Sequence, residues 1–290
     1  MEMYNAPSAA VSITSADVAA WRNYLGRTEV RRQTVDVETL RRFAAAVGAP
    51  LDVENRLPPL AHWAHFLEVA PAGALGPDGH PRRGDGIVPP VTLPHRMFAA
   101  ASMQFFEPLT FGREAELILC VADVQYRKGK QGDLIFVHTD RTLTQDGRKR
   151  VVERQSFVYC GRGGANAVMP ADLPAVVDEE RWIPDTVELF RFSAVTFNSH
   201  RIHYDFPYTR DQEGYPALVV HGPLTAIKLF AFAQARSPAP LTHFSFRAKA
   251  PLFVHQPVRL VRADSADEFN ATRCDGIVAM SASTSALQHL

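Results

Sequence analysis

The chain has 290 residues, 46% of them hydrophobic and 21% charged, enough apolar side chain to bury a large core, which excludes a disordered or fibrous protein. Its 31 Lys and Arg balance 31 Asp and Glu, so no basic surplus marks an electrostatic nucleic-acid binder. Among the cations 26 are arginine and 5 lysine, a bias that favours planar pairing with carboxylate or phosphate but that genomic base composition also produces.

In chain order, the first expected helix follows the N-cap types Thr14 and Ser15, carries Val18, Trp21 and Leu25 on one face, and stops at Gly26. A second starts near Asp36, with Leu40, Phe43, Ala44 and Val47 as its apolar stripe and Gly48 as its C′ residue. Residues Ala70 to Pro90 are rich in Gly, Pro and Asp and form a long loop, a class that serves as lid or binding loop or is disordered. Pro94 to Phe106 reads as an apolar helical segment. From Gly112 the pattern turns to strands, at Leu117 to Val121, Leu134 to Val137 and Gln155 to Tyr159. Gly129 and Gly132 bound one turn, and Asp146-Gly147 is a hairpin dipeptide.

A linker rich in Gly, Ala, Pro and acidic residues runs from 161 to 185. Beyond it lie Phe190 to Phe197, a helical stretch Pro223 to Ala235, and strands around Phe244 to Phe246, Val258 to Val261 and Ile277 to Met280. Pro108 to Leu117 matches Pro251 to Leu260 at an offset of 143 residues, near half the chain. With a helix and then strands in each half, that match points to a duplicated α+β unit, residues 1–160 and 186–290.

Cys120, Cys160 and Cys274 form no CxxC pair and no disulfide framework, so they are expected to be buried thiols of a cytoplasmic protein. The N-terminus shows no secretory signal, and Ala217 to Ala233 is too short and too interrupted for a membrane span.

The chemistry concentrates in Phe197-Asn198-Ser199-His200-Arg201-Ile202-His203-Tyr204-Asp205 and in Val220-His221-Gly222-Pro223. These segments resemble the MaoC-like hydratase/dehydratase family of hotdog folds, whose signature is an Asp, then Asn-Pro-aliphatic-His, with a downstream aliphatic-His-Gly opening the central helix. The resemblance is strongest to the double-hotdog branch with itaconyl-CoA and mesaconyl-C4-CoA hydratases and mitochondrial-type 3-hydroxyacyl-thioester dehydratases. Pro94 to Ala99, Phe106 to Leu109 and Arg141-x-Leu143-x-Gln145-x-Gly147 add weaker matches, so the likeness covers nearly the whole chain. It implies two fused hotdog units in an α+β chain, a homodimer, an acyl-CoA substrate and no cofactor.

Water addition to an α,β-unsaturated thioester needs a base for water and a donor for the enolate oxygen. His203 is the first choice of base. Asn198 stands where the wider family has Asp; an amide is no base but can hold water. The Gly222 N–H at a helix start is the candidate oxyanion donor. His200, Arg201, Tyr204, Asp205, His221 and Arg247 are expected to contact substrate, with Arg201, Arg210 and Arg247 as candidates for a substrate carboxylate. His200, His203 and His221 lack a completing Cys or carboxylate, so no metal is expected. His62 and His65 read as surface or core-edge residues, and Arg82 and Arg83 as solvated charges that could also meet a CoA phosphate. Rival readings are a fatty-acid 3-hydroxyacyl-thioester dehydratase, an acyl-CoA thioesterase on the same scaffold and a non-catalytic acyl-CoA-binding subunit.

Overall fold

The computed structural model describes residues 13–129, 132–161, 163–174 and 178–286. Thr14 caps α1 (Ser15–Arg22) through a reciprocal capping box with Asp17. The helix ends three residues earlier than Leu25, which is exposed, while Trp21 is buried. After β1 (Thr28–Thr34), Asp36 caps α2 (Val37–Val47) and Gly48 closes it at φ 75°, the left-handed geometry that glycine adopts freely.

Residues 95–105 are a strand, β2 (His95–Phe105), and not the helix that their apolar content suggested. The strand is central in the sheet, paired on both edges, but its consecutive apolar residues Met97 to Ala101 hide the alternation that its burial shows from Ala101 to Gln104. Three long strands follow, β3 (Glu114–Gly129), β4 (Gly132–Gln145) and β5 (Arg148–Cys160), with Asp146 and Gly147 both at positive φ in the β4–β5 hairpin. Residues 179–182 form β6 (Glu179–Trp182), so the 161–185 stretch contains a strand as well as connecting chain. Phe190 lies in α3 (Thr186–Val195), and α4 (Phe206–Asp211) and α5 (Gly222–Gln234) follow. The chain finishes with β7 (Leu241–Ala248), β8 (Val258–Arg262), β9 (Glu268–Arg273) and β10 (Val278–Ala286).

All ten strands share one antiparallel sheet in the order β1-β3-β4-β5-β2-β7-β10-β9-β8-β6. The order is a mirror: β1 to β5 are arranged from one edge as β6 to β10 are from the other, and β2 meets β7 in the middle. The repeated segments at Pro108 and Pro251 lead into β3 and β8, which hold equivalent places in the two halves. The helix between β1 and β2 is α2, which replaces Pro94 to Phe106 as the first-half helix.

One core joins the halves. Leu40 and Phe43 of α2, Leu189 and Phe192 of α3, and Leu224, Ile227, Leu229 and Phe232 of α5 pack with inward residues of both strand sets. α5 is apolar on nearly all sides because the sheet wraps it. Its one charge, Lys228, donates to the Val47 carbonyl at the C-terminus of α2 (3.0 Å) and pairs with Glu188 of α3 (2.8 Å), which ties three helices together. Among the described residues no helix is long and apolar enough to cross a membrane. Cys160 and Cys274 are buried, whereas Cys120 is only partly covered.

Candidate active site

A cavity of about 1420 Å³ runs between the halves, lined from one by Trp63, Arg96, Phe98 and Phe157 and from the other by Asn198, His200, His203 and Gly222. The second set comes from two short segments. Residues 201–203 make a single tight turn, and residues 218–220 run beside it as extended chain. The Val219 N–H donates to Ile202 O (3.0 Å), and the Val219 carbonyl accepts from the Nδ1 of His203 (2.7 Å). A carbonyl only accepts, so Nδ1 carries the proton and Nε2 keeps its lone pair, on a ring that lines the cavity. Burial pushes the His203 pKa down to about 4, against a smaller upward pull from the Val219 bond. The ring is a neutral base at physiological pH.

His221 lies fully buried behind His203, its ring stacked on it, and meets the Ser193 hydroxyl at 2.8 Å through Nε2. It does not line the cavity, unlike the other expected substrate contacts His200 and Tyr204. The next residue, Gly222, opens α5 and does line the cavity. Its N–H is one of the helix's unshared first donors, with Pro223 directly after it. Asn198 accepts from the His200 N–H through Oδ1 (3.0 Å), which leaves its Nδ2 as the group to meet a water or substrate oxygen.

The structure separates the remaining expected substrate contacts. His200 and Tyr204 line the cavity. Arg201 and Asp205 do not; they pair with each other at 2.7 Å, and Asp205 caps α4 through Tyr208 N. Arg247 is exposed on β7, where the inward positions belong to Phe244 and Phe246, and it lies outside the cavity. Arg210 is exposed and paired with Asp211. Arg82 donates to the Gly73 carbonyl, and Arg83 to the carbonyls of Val91, Leu93 and Pro94, so neither is simply solvated. His62 and His65 are buried: His65 accepts from Asp36 N, and His62 lies 3.4 Å from Glu153.

Sequence reasoning missed Asp78 and His80. They sit in the Gly- and Pro-rich loop, whose turn Pro77 to His80 is ordered against the catalytic segment. Arg201 donates to the carbonyls of Asp78 (N–H, 2.9 Å) and Pro77 (Nη1, 3.0 Å), and Ser199 Oγ to that of Gly79 (2.5 Å). His80 hydrogen-bonds Asp78 at 3.3 Å, and its ring centroid is 4.2 Å from that of His200. Burial pushes both imidazoles down. Asp78, His80 and His200 have donor atoms within 4.8 Å of one another, the spacing a metal would need. The run around Asp78 and Gly79 read only as part of a long Gly- and Pro-rich loop, and nothing in the local pattern pairs it with a residue 120 positions away.

A family model for hydroxyacyl-thioester dehydratase type 2 matches residues 60–254. The chain belongs to that dehydratase family. The match spans both cavity walls, from Trp63 through His203 to Gly222. The chain is 41% identical to the mesaconyl-C4-CoA hydratase of Chloroflexus aurantiacus over 279 residues, covering 93% of this chain and 98% of that protein. It is 34% identical to the mitochondrial hydroxyacyl-thioester dehydratase type 2 of Schizosaccharomyces pombe over 89 residues, 29% of this chain and 30% of that one.

Among solved structures, HtdX of Mycobacterium tuberculosis superposes with a TM-score of 0.62 at 16% identity, covering 90% of this chain and 100% of that one. A conserved hypothetical protein from the same organism, described as a double hotdog, gives 0.56 at 14%, covering 91% and 96%. The fold of the chain is the double hotdog.

Proposed function

We propose that the protein is a hydro-lyase that reversibly adds water to an enoyl-CoA to give a 3-hydroxyacyl-CoA, with a branched dicarboxylyl ester, mesaconyl-C4-CoA or itaconyl-CoA, as substrate and citramalyl-CoA as product. The observation that carries this reading is the His203–Val219 bond, which fixes the tautomer and leaves Nε2 as a base in the cavity that Gly222 also lines. In this route Nε2 takes a proton from water as its oxygen bonds the β-carbon. The double-bond electrons move onto the thioester oxygen, where the Gly222 N–H and the start of α5 stabilise the charge. The α-carbon then takes up the proton that Nε2 removed from water, the enolate collapses to the thioester and His203 is neutral again. Asn198 holds the water through its Nδ2.

The thioester itself acidifies the α-carbon, so this route calls for neither metal nor cofactor. A cytosolic setting, where three thiols stay reduced, and a homodimer belong to the same reading. The relationship to the Chloroflexus hydratase supports the choice of ester. The test is a spectrophotometric assay with mesaconyl-C4-CoA, itaconyl-CoA and crotonyl-CoA. Loss of the enoyl-thioester absorbance without release of free thiol is expected. Thiol release without hydration would make the protein a thioesterase, and no change with any ester would leave a binding subunit.

A further inference from the structure

We propose that Arg96 is the seat of a free carboxylate on the acyl chain, and that it selects enoyl-CoA esters carrying such a group close to the double bond. The proposal rests on the hydratase reading and names the residue that gives it substrate preference.

The argument is one of charge. Among the described residues four cationic side chains line the cavity: Arg31, Arg96, Arg141 and Lys249. Arg31 is paired with Glu29 at 2.5 Å and donates to the Phe66 carbonyl. Arg141 lies 3.5 Å from the buried Glu153, which also accepts from Trp63 and Gln155. Lys249 is exposed and donates to Ser281. Arg96 differs from all three. Among the described residues its side chain has no ion-pair or hydrogen-bond partner; its guanidinium lies over the Phe157 ring, 4.8 Å from the centroid. The group is half-buried, where an unpaired charge is costly and an incoming anion is correspondingly favoured.

Its position limits which anion that is. Arg96 stands near the start of β2, two residues before Phe98, whose carbonyl faces Gly222. Its charge reaches His80 and His200 and helps hold both imidazoles neutral. An anion on Arg96 therefore sits beside the reacting end of the substrate. The CoA phosphates are separated from the thioester by the whole pantetheine arm. A carboxylate a few bonds from the thioester carbon meets both demands, and the planar fork of arginine accepts it bidentately while the Phe157 face holds the fork in place. Of the arginines first considered for this role, Arg201 and Arg210 already have carboxylate partners and Arg247 lies outside the cavity.

The experiment compares kcat/KM for mesaconyl-C4-CoA and crotonyl-CoA, which share the CoA moiety and differ in the carboxylate, in wild type and in Arg96→Gln. The ratio of the two is expected to fall about 100-fold in Arg96→Gln, because the carboxylate loses its partner in a dry site. Arg96→Lys keeps the charge without the fork and is expected to give an intermediate ratio; it also serves if the glutamine variant does not fold. An unchanged ratio, with both esters losing KM together, would assign Arg96 to a CoA phosphate and overturn the proposal. So would a wild type that hydrates crotonyl-CoA and rejects the dicarboxylyl ester. A wild type that hydrates neither ester brings down the hydratase reading itself, an outcome the variants do not mimic.

Discussion

The rings of His203 and His221 stack with centroids 3.5 Å apart and planes 21° from parallel. In the proposed route one histidine is the base and the other packs against it. His221 is fixed in turn by Ser193 and by the edge of Phe192, both on α3. His221→Ala opens a cavity behind the base and frees its ring to turn. The expected cost is about 2–4 kcal/mol of stability and roughly 10- to 100-fold in kcat, from loss of alignment. Thermal unfolding and steady-state kinetics measure the two separately, and a full kcat in the variant would deny the supporting role.

His203→Ala removes the proton acceptor and leaves the Val219 carbonyl without its side-chain donor. Turnover is expected to fall by about 10³-fold or more. The lost hydrogen bond costs about 1–3 kcal/mol, so the protein stays folded by circular dichroism. Near-wild-type hydration from a folded variant would remove His203 from the mechanism.

The pH dependence follows from the same burial. With a folded pKa of about 4 against an ordinary 6.5, His203 stays neutral well below physiological pH. kcat/KM is expected to hold level as pH falls toward 5 and to drop as pH nears 4, where the base is protonated. Stability behaves differently. Between about pH 6.5 and 4 the unfolded chain binds a proton that the folded chain refuses, so stability is full above 6.5 and is lost as pH falls through that window. His80, His200 and His221, all lowered by burial, add losses of the same sign. Urea unfolding at pH 7.5 and pH 5 checks this: a higher midpoint at pH 5 contradicts it.

Some of this architecture is written locally in the chain and some is not. The caps at Thr14, Asp36 and Gly48 and the Asp146-Gly147 hairpin are short-range backbone chemistry, and the sequence spells them out. β2 does not announce itself, because the consecutive apolar residues Met97 to Ala101, with a bulge between Phe98 and Ala100, mask its alternation. The His-Gly step and the paired histidines are legible because their spacing is fixed by one turn and one helix start. Asp78 and His80 reach the site through main-chain bonds to residues far along the chain, and Arg247 misses it through the parity of one strand. Contacts of that kind depend on tertiary register.

Asn198 has its Oδ1 committed to the His200 N–H, so its amide nitrogen is the part available to water. Asn198→Ala is expected to lower kcat by about 10²–10³, as loss of one fixed donor does. A change confined to KM would instead make Asn198 a substrate contact.

Gly79 joins the Pro77–His80 turn to the catalytic segment more closely than any other residue type allows. Its φ is +89°, and a Cβ there would sit 1.9 Å from the Ser199 carbonyl oxygen, a backbone atom with no room to yield. Gly79→Ala therefore either strains the turn or lifts it away from Ser199 and Arg201. It carries His80 off His200 as it goes, since the loop's bonds to Ser199 and Arg201 hold that contact. The expected result is about 1–3 kcal/mol of lost stability, with kcat falling as His200 loses its neighbour. Gly84, also at positive φ but 3.5 Å from its nearest side-chain neighbour, is the control. Gly84→Ala bears only the backbone strain and is expected to retain the higher kcat; equal kcat losses in the two variants would mean that the close approach at Gly79 has no bearing on the site.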